Sequence, residues 1–201
     1  MKISVLDRIL LLLTGLLAAW QVAVGIEGAD TLPLVAYTVG FGVLLVAVLL
    51  LIILGLDVLD SPIVVIVSTI IPLSLSLGLA WEYLPAWRSA YLAFSILGFL
   101  AVLLTRALPI RSKLPVAVLA VVHAVAGLLI FLLPIVWAAT ARSAPGFALV
   151  GAGGALIGAG GLLLALLKAG RPLLSRTRVL HILPGLLLLM TAAFIAGFAL
   201  A

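Results

Sequence analysis

His123 is the one ionisable side chain set deep inside an apolar run, in Ala120-Val121-Val122-His123-Ala124-Val125-Ala126-Gly127. Charged groups in hydrocarbon are expensive, so an ionisable residue at such depth is a candidate for proton transfer, ion passage or ligand contact. Counted from Leu114, it lies about nine residues, or ~14 Å, along a helix. Its neighbours on the same helix face, Ala120 and Gly127, are small. A neutral imidazole hydrogen-bonded across a close helix contact would account for it without chemistry.

Ser68, Pro72 and Ser76 repeat at i, i+4 and i+8, with Thr69 beside them. Proline has no N–H and leaves the carbonyl four residues earlier without its helical donor. The hydroxyls could line a small polar pathway, or bond to their own helix backbone beside a kink. Glu82, between Trp81 and Tyr83 and a short loop from Arg88, suggests a polar mouth for a headgroup or small solute. The plainer alternative is a solvated acid loosely paired with the arginine.

Other chemistries lack their residues. There is no cysteine, which removes disulfides, thiolate catalysis and Cys-ligated clusters. His123 and His181 differ in depth by roughly 8 residues, or ~12 Å, on like-oriented helices, which disfavours haem held by both. All six acidic residues fall at the ends of apolar runs or between them, so paired-carboxylate catalysis and proton-coupled transport are not indicated. The three lysines, Lys2, Lys113 and Lys168, also lie at edges, where no retinal could attach inside the bilayer. No cofactor or metal is expected.

Glycines serve packing instead. Gly151, Gly154, Gly158 and Gly161 are spaced three, four and three apart, which puts them on one helix face, widened by Gly153 and Gly160. No strand precedes them, so a dinucleotide-binding loop is a poor reading. Such a face lets another helix approach closely in lipid. Ala117, Ala120, Ala124 and Gly127 form a similar ridge one run earlier, so the fifth and sixth runs are expected to pack antiparallel through these small residues. A partner chain on the glycine face is the alternative.

The elements that must position these residues are membrane-spanning helices. The 201 residues are 67% hydrophobic and 8% charged, with mean hydropathy +1.52, far from a water-soluble composition. Runs of spanning length cover Ile9–Ile26, Leu34–Leu56, Ile63–Trp81, Ser89–Thr105, Leu114–Ala139, Phe147–Leu167 and Val179–Leu200. The predicted fold is all-α, a single polytopic bundle of seven transmembrane helices with short loops. After the first span the chain reads as three same-handed helical hairpins, unlike the antiparallel halves of an inverted-repeat transporter.

Positive charge sets the expected orientation. Lys2, Arg8, Arg106, Arg111, Lys113, Lys168, Arg171, Arg176 and Arg178 fall on alternate joints, whereas the other joints hold only Arg88 and Arg142. The N-terminus is therefore expected to be cytoplasmic and the C-terminus outside. Trp20, Trp81, Tyr83, Trp87 and Trp137 gather near the outer boundary as an aromatic belt. A competing reading makes the first run a signal peptide cut near Ala23-Val24-Gly25. The net charge of +5 points to anionic headgroups at the cytoplasmic face, not nucleic acid, with Lys168, Arg171, Arg176 and Arg178 as the basic edge.

With little reactive chemistry left, the expected role is a non-enzymatic structural or accessory subunit of an assembly in the cytoplasmic membrane. Other membrane subunits are the further partners it implies. A small permease or lipid-handling protein using Ser68, Ser76, His123 and Glu82 is the alternative, and a membrane sensor module the second.

Overall fold

In the computed structural model, which describes residues 3–110, 112–168 and 173–201, helix dominates and no strand occurs among the described residues. Among the described residues, seven helices are long and apolar enough to cross a membrane. They are α1 (Val5–Val24), α2 (Thr31–Leu54), α3 (Pro62–Tyr83), α4 (Arg88–Ala107), α5 (Leu114–Ala139), α6 (Ala148–Lys168) and α7 (Arg176–Ala199). Short 3-10 turns at Leu56–Asp60, Pro85–Trp87 and Pro145–Phe147 lead into α3, α4 and α6.

Local chemistry fixes the boundaries. The first helix begins at Val5, ahead of the expected Ile9, because Ser4 and Asp7 form a capping box. The Asp7 N–H donates to Ser4 Oγ at 3.1 Å and the Ser4 N–H returns a bond to Asp7 Oδ2 at 3.0 Å. This satisfies two of the amide donors that a helix start leaves without partners. Pro62 and Pro115 occupy first-turn positions, where the missing N–H costs least. Gly25 and Gly55 end α1 and α2 at φ 70° and 86°, a region open mainly to glycine.

The order of contacts is a closed ring, α1–α2–α3–α5–α6–α7 and back to α1, with α4 outside it in the groove between α3 and α5. All three sequence hairpins, α2–α3, α4–α5 and α6–α7, pack as pairs. Tyr37, Phe41, Leu79, Ile130, Phe147, Met190 and Phe194 are the bulky members of the main core. A smaller cluster of Leu73, Val102, Val122 and Ala126 seats α4. Outward faces carry exposed Leu, Val and Ile, such as Leu97, Val121, Leu128 and Leu189. That inverted surface suits a lipid solvent, in which helices keep their backbone bonds internal.

Candidate functional site

Side-chain contacts define the two ends of the bundle. At one end α7 begins: Arg176 donates from Nη2 to Asp60 Oδ2 at 2.8 Å and to Asp57 Oδ1 at 3.2 Å, in the joint between α2 and α3. Two of the expected headgroup-binding residues are thus differently occupied. Arg176 is engaged by carboxylates, whereas Arg178 is exposed and its backbone N–H donates to Ser175 Oγ. Arg171 and the side chain of Lys168 lie outside the described residues.

Glu82 marks the opposite end. The Tyr37 hydroxyl donates to Glu82 Oε2 at 2.9 Å, with the Tyr37 ring 1% exposed and 4.8 Å from the Phe198 ring. Gly78, one turn before Glu82, makes the slot: a Cβ there would collide with the Tyr37 ring. Arg88 donates from Nε to the Trp81 carbonyl at 2.6 Å, stacks 5.5 Å above the Trp81 ring and lies 4.0 Å from Asp30. Arg88 therefore ties α4 to α3 and the α1–α2 joint, and does not pair with Glu82. Tyr83 packs on Phe147 and Trp137 at centroid distances of 4.8 and 6.5 Å, while Trp20 and Trp87 are exposed.

The polar face of α3 is turned onto its own backbone. Ser68 and Thr69 both donate to the Val65 carbonyl, at 3.1 and 2.8 Å. Ser76 is fully buried and donates to the Pro72 carbonyl at 2.6 Å. Thr14, Ser95, Thr105 and Thr191 likewise bond to carbonyls four residues earlier. His123 follows the same rule: its Nδ1 lies 3.1 Å from the Leu119 carbonyl, which the Nδ1–H tautomer satisfies. The bond lies within its own helix, not across a helix contact.

Ser68, Ser76 and His123 each bond within their own helix, while Glu82 is held by Tyr37. Two open hollows are wholly apolar, one bounded by Leu84, Leu129, Leu133 and Trp137, the other by Leu97, Ala101, Ala117 and Val121. Neither is lined by any of those four residues. Among the described residues no group of three or more His, Asp or Glu side chains comes together to hold a metal.

The glycine face is divided among neighbours. A Cβ at Gly151 would meet Ile135 and the Phe131 carbonyl at 2.6 Å, and one at Gly154 would meet Ile130 at 2.9 Å. Gly153 instead faces Phe194 of α7 at 2.7 Å. Among the described residues nothing lies within 4 Å of a Cβ added at Gly158 or Gly161, and the same holds for Gly127. The expected match between this face and the Ala117, Ala120, Ala124 ridge does not form, and those alanines are exposed. Bulky Ile130, Phe131 and Ile135 fill the glycine notch near the Glu82 end, and towards the Arg176 end the two small faces lose contact.

Sequence reading missed the Tyr37–Gly78 fit and the buried Gln21, whose Nε2 donates to the Gly25 carbonyl at 2.6 Å. It also missed Tyr91, whose buried hydroxyl lies beside Ser76 of α3, and Arg106, whose Nε is buried without a hydrogen-bond partner among the described residues. Polarity inside an apolar run is a visible signal for Gln21, but a tyrosine pointing inward reads the same as one at an interface. No protein-family model, no curated protein and no solved structure matches this chain.

Proposed function

We propose that this chain is a non-enzymatic integral membrane protein, a structural or accessory subunit of a membrane assembly. One observation carries the reading: the serine and threonine hydroxyls and the imidazole inside the spans spend their hydrogen bonds on their own helices. Ser68, Thr69, Ser76 and His123 each bond to a carbonyl three or four residues earlier. A polar pathway needs such groups turned towards a shared space, and a catalytic site needs them turned towards a substrate. The apolar, small-residue surface around Gly158 and Gly161 favours helix association instead.

The orientation that goes with this reading puts the Arg176 end in the cytoplasm, beside anionic headgroups of the cytoplasmic membrane. Absence of cysteine makes that easy to test. A single cysteine placed at Ser112 should resist an impermeant thiol reagent in intact cells, and one placed at Ser143 should react. The assembly role is tested by extracting the chain from native membranes into polymer-bounded discs. The expected particle is well above the 20.8 kDa of one chain and has one stoichiometric membrane partner. A lone monomer in that preparation would overturn the proposal.

A further inference from the structure

Arg106 closes α4 in an unusual state. Its Nε is buried without a partner, and among the described residues it makes no hydrogen bond or ion pair. The acids are committed elsewhere. Asp57 and Asp60 hold Arg176, Asp7 caps α1, Glu82 accepts from Tyr37 and Asp30 faces Arg88. Glu27 sits in the α1–α2 joint at the opposite end. A guanidinium half-withdrawn from water with no counter-charge is costly, so an anion at this point would relieve the cost.

Its surroundings indicate what kind of anion. Gly98, Val102 and Arg106 share one face of α4 at i, i+4 and i+8. That face looks at α5: a Cβ at Gly98 would lie 3.2 Å from Val122, and Val102 is fully buried. Beside this seam runs an open apolar groove between Leu97, Gly98 and Ala101 of α4 and Ala117, Val121 and Val122 of α5. Arg106 lies five residues beyond Ala101, and Lys113 four residues before Ala117, so the backbone of each stands roughly 6–8 Å along its helix axis from the end of the groove. The Cα–Cβ bond of a helical residue tilts towards the helix N-terminus, which for Arg106 is the side of the groove.

We propose that the α4–α5 seam is a binding site for one anionic glycerophospholipid. Its phosphate sits on Arg106 and Lys113, and part of one acyl chain lies along the groove. Guanidinium matches phosphate oxygens in a fork, while the ammonium of Lys113 adds a point charge. Gly98, Ala101 and Ala117 keep the groove free of protein side chains, as a chain-binding surface requires. The site is separate from the α6–α7 basic edge and does not depend on the accessory-subunit reading.

The full chain, reconstituted in vesicles of equal phosphatidylglycerol and phosphatidylcholine and extracted in mild detergent, should retain one phosphatidylglycerol by native mass spectrometry. Arg106→Gln should weaken that retention by about tenfold, the value of one charge-assisted hydrogen bond. Ala117→Phe, at an exposed position, should weaken it comparably by filling the groove, with thermal unfolding unchanged. Equal retention of the two lipids would overturn the proposal. So would displacement of phosphatidylglycerol by millimolar inorganic phosphate together with normal retention in Ala117→Phe, which would mark a site for free anions. If Arg106→Gln does not fold, the lipid comparison and Ala117→Phe decide the matter.

Discussion

The Tyr37 hydroxyl meets Glu82 Oε2 at 2.9 Å through a slot that exists because residue 78 is glycine. Three residues on two helices thus act as one joint: α3 provides both the gap and the acceptor, and α2 provides the ring. Gly78→Ala should cost about 1–3 kcal/mol, the range for overpacking a filled core. Tyr37→Phe should cost about 1–3 kcal/mol by leaving a half-buried carboxylate oxygen without its donor. Thermal unfolding in detergent reads both, and a Gly78→Ala protein as stable as its parent would contradict the fit.

Much of this bundle is legible in the chain because lipid imposes a length and a composition on every span. Leu114–Ala139 has the same limits in sequence and structure, bounded by Lys113 before it and the polar Thr140-Ala141-Arg142 after it. The start of α1 is four residues early because a capping box of Ser4 and Asp7 outweighs the polarity of Arg8. Lateral arrangement is less visible. Apolar faces look alike whether they meet lipid or another helix, so nothing in Gly151, Gly154, Gly158 and Gly161 tells which pair touches α5. The partner of Glu82 was hidden for a related reason: Arg88 is near in sequence, while Tyr37 is 45 residues away.

That division of the glycine face predicts opposite outcomes for identical substitutions. Gly154→Ala places a methyl 2.9 Å from Ile130 Cγ2 and 3.0 Å from α5 backbone, which cannot give way easily. A loss of about 1–3 kcal/mol is expected. Gly158→Ala meets nothing within 4 Å. It should be neutral, or stabilising by up to about 1 kcal/mol through helix propensity. Differential scanning fluorimetry in one detergent compares the two, and equal losses would show that α6 packs differently.

Arg176 joins the start of α7 to Asp57 and Asp60 across the chain, yet all three side chains are about half exposed. Water and salt screen such pairs, so Arg176→Ala should lower the unfolding temperature only slightly at low ionic strength. The difference from the parent should vanish at roughly 1 M salt, where the screening length falls to about 3 Å. A salt-independent loss would mean that Arg176 contributes through packing of its stem instead.

His123 is the sharpest test of whether any chemistry resides inside the spans. Its Nδ1 is bonded to the Leu119 carbonyl of its own helix, a bond that caps no other group and bridges no helices. Leucine at this position keeps the apolar stem volume and removes a polar ring that gains little from its surroundings. His123→Leu should therefore change unfolding stability by less than about 1 kcal/mol. It should also leave assembly unchanged in polymer-bounded discs. Proton or solute flux in vesicles containing the parent chain, abolished by His123→Leu at unchanged stability, would overturn the accessory-subunit reading and place function on this imidazole.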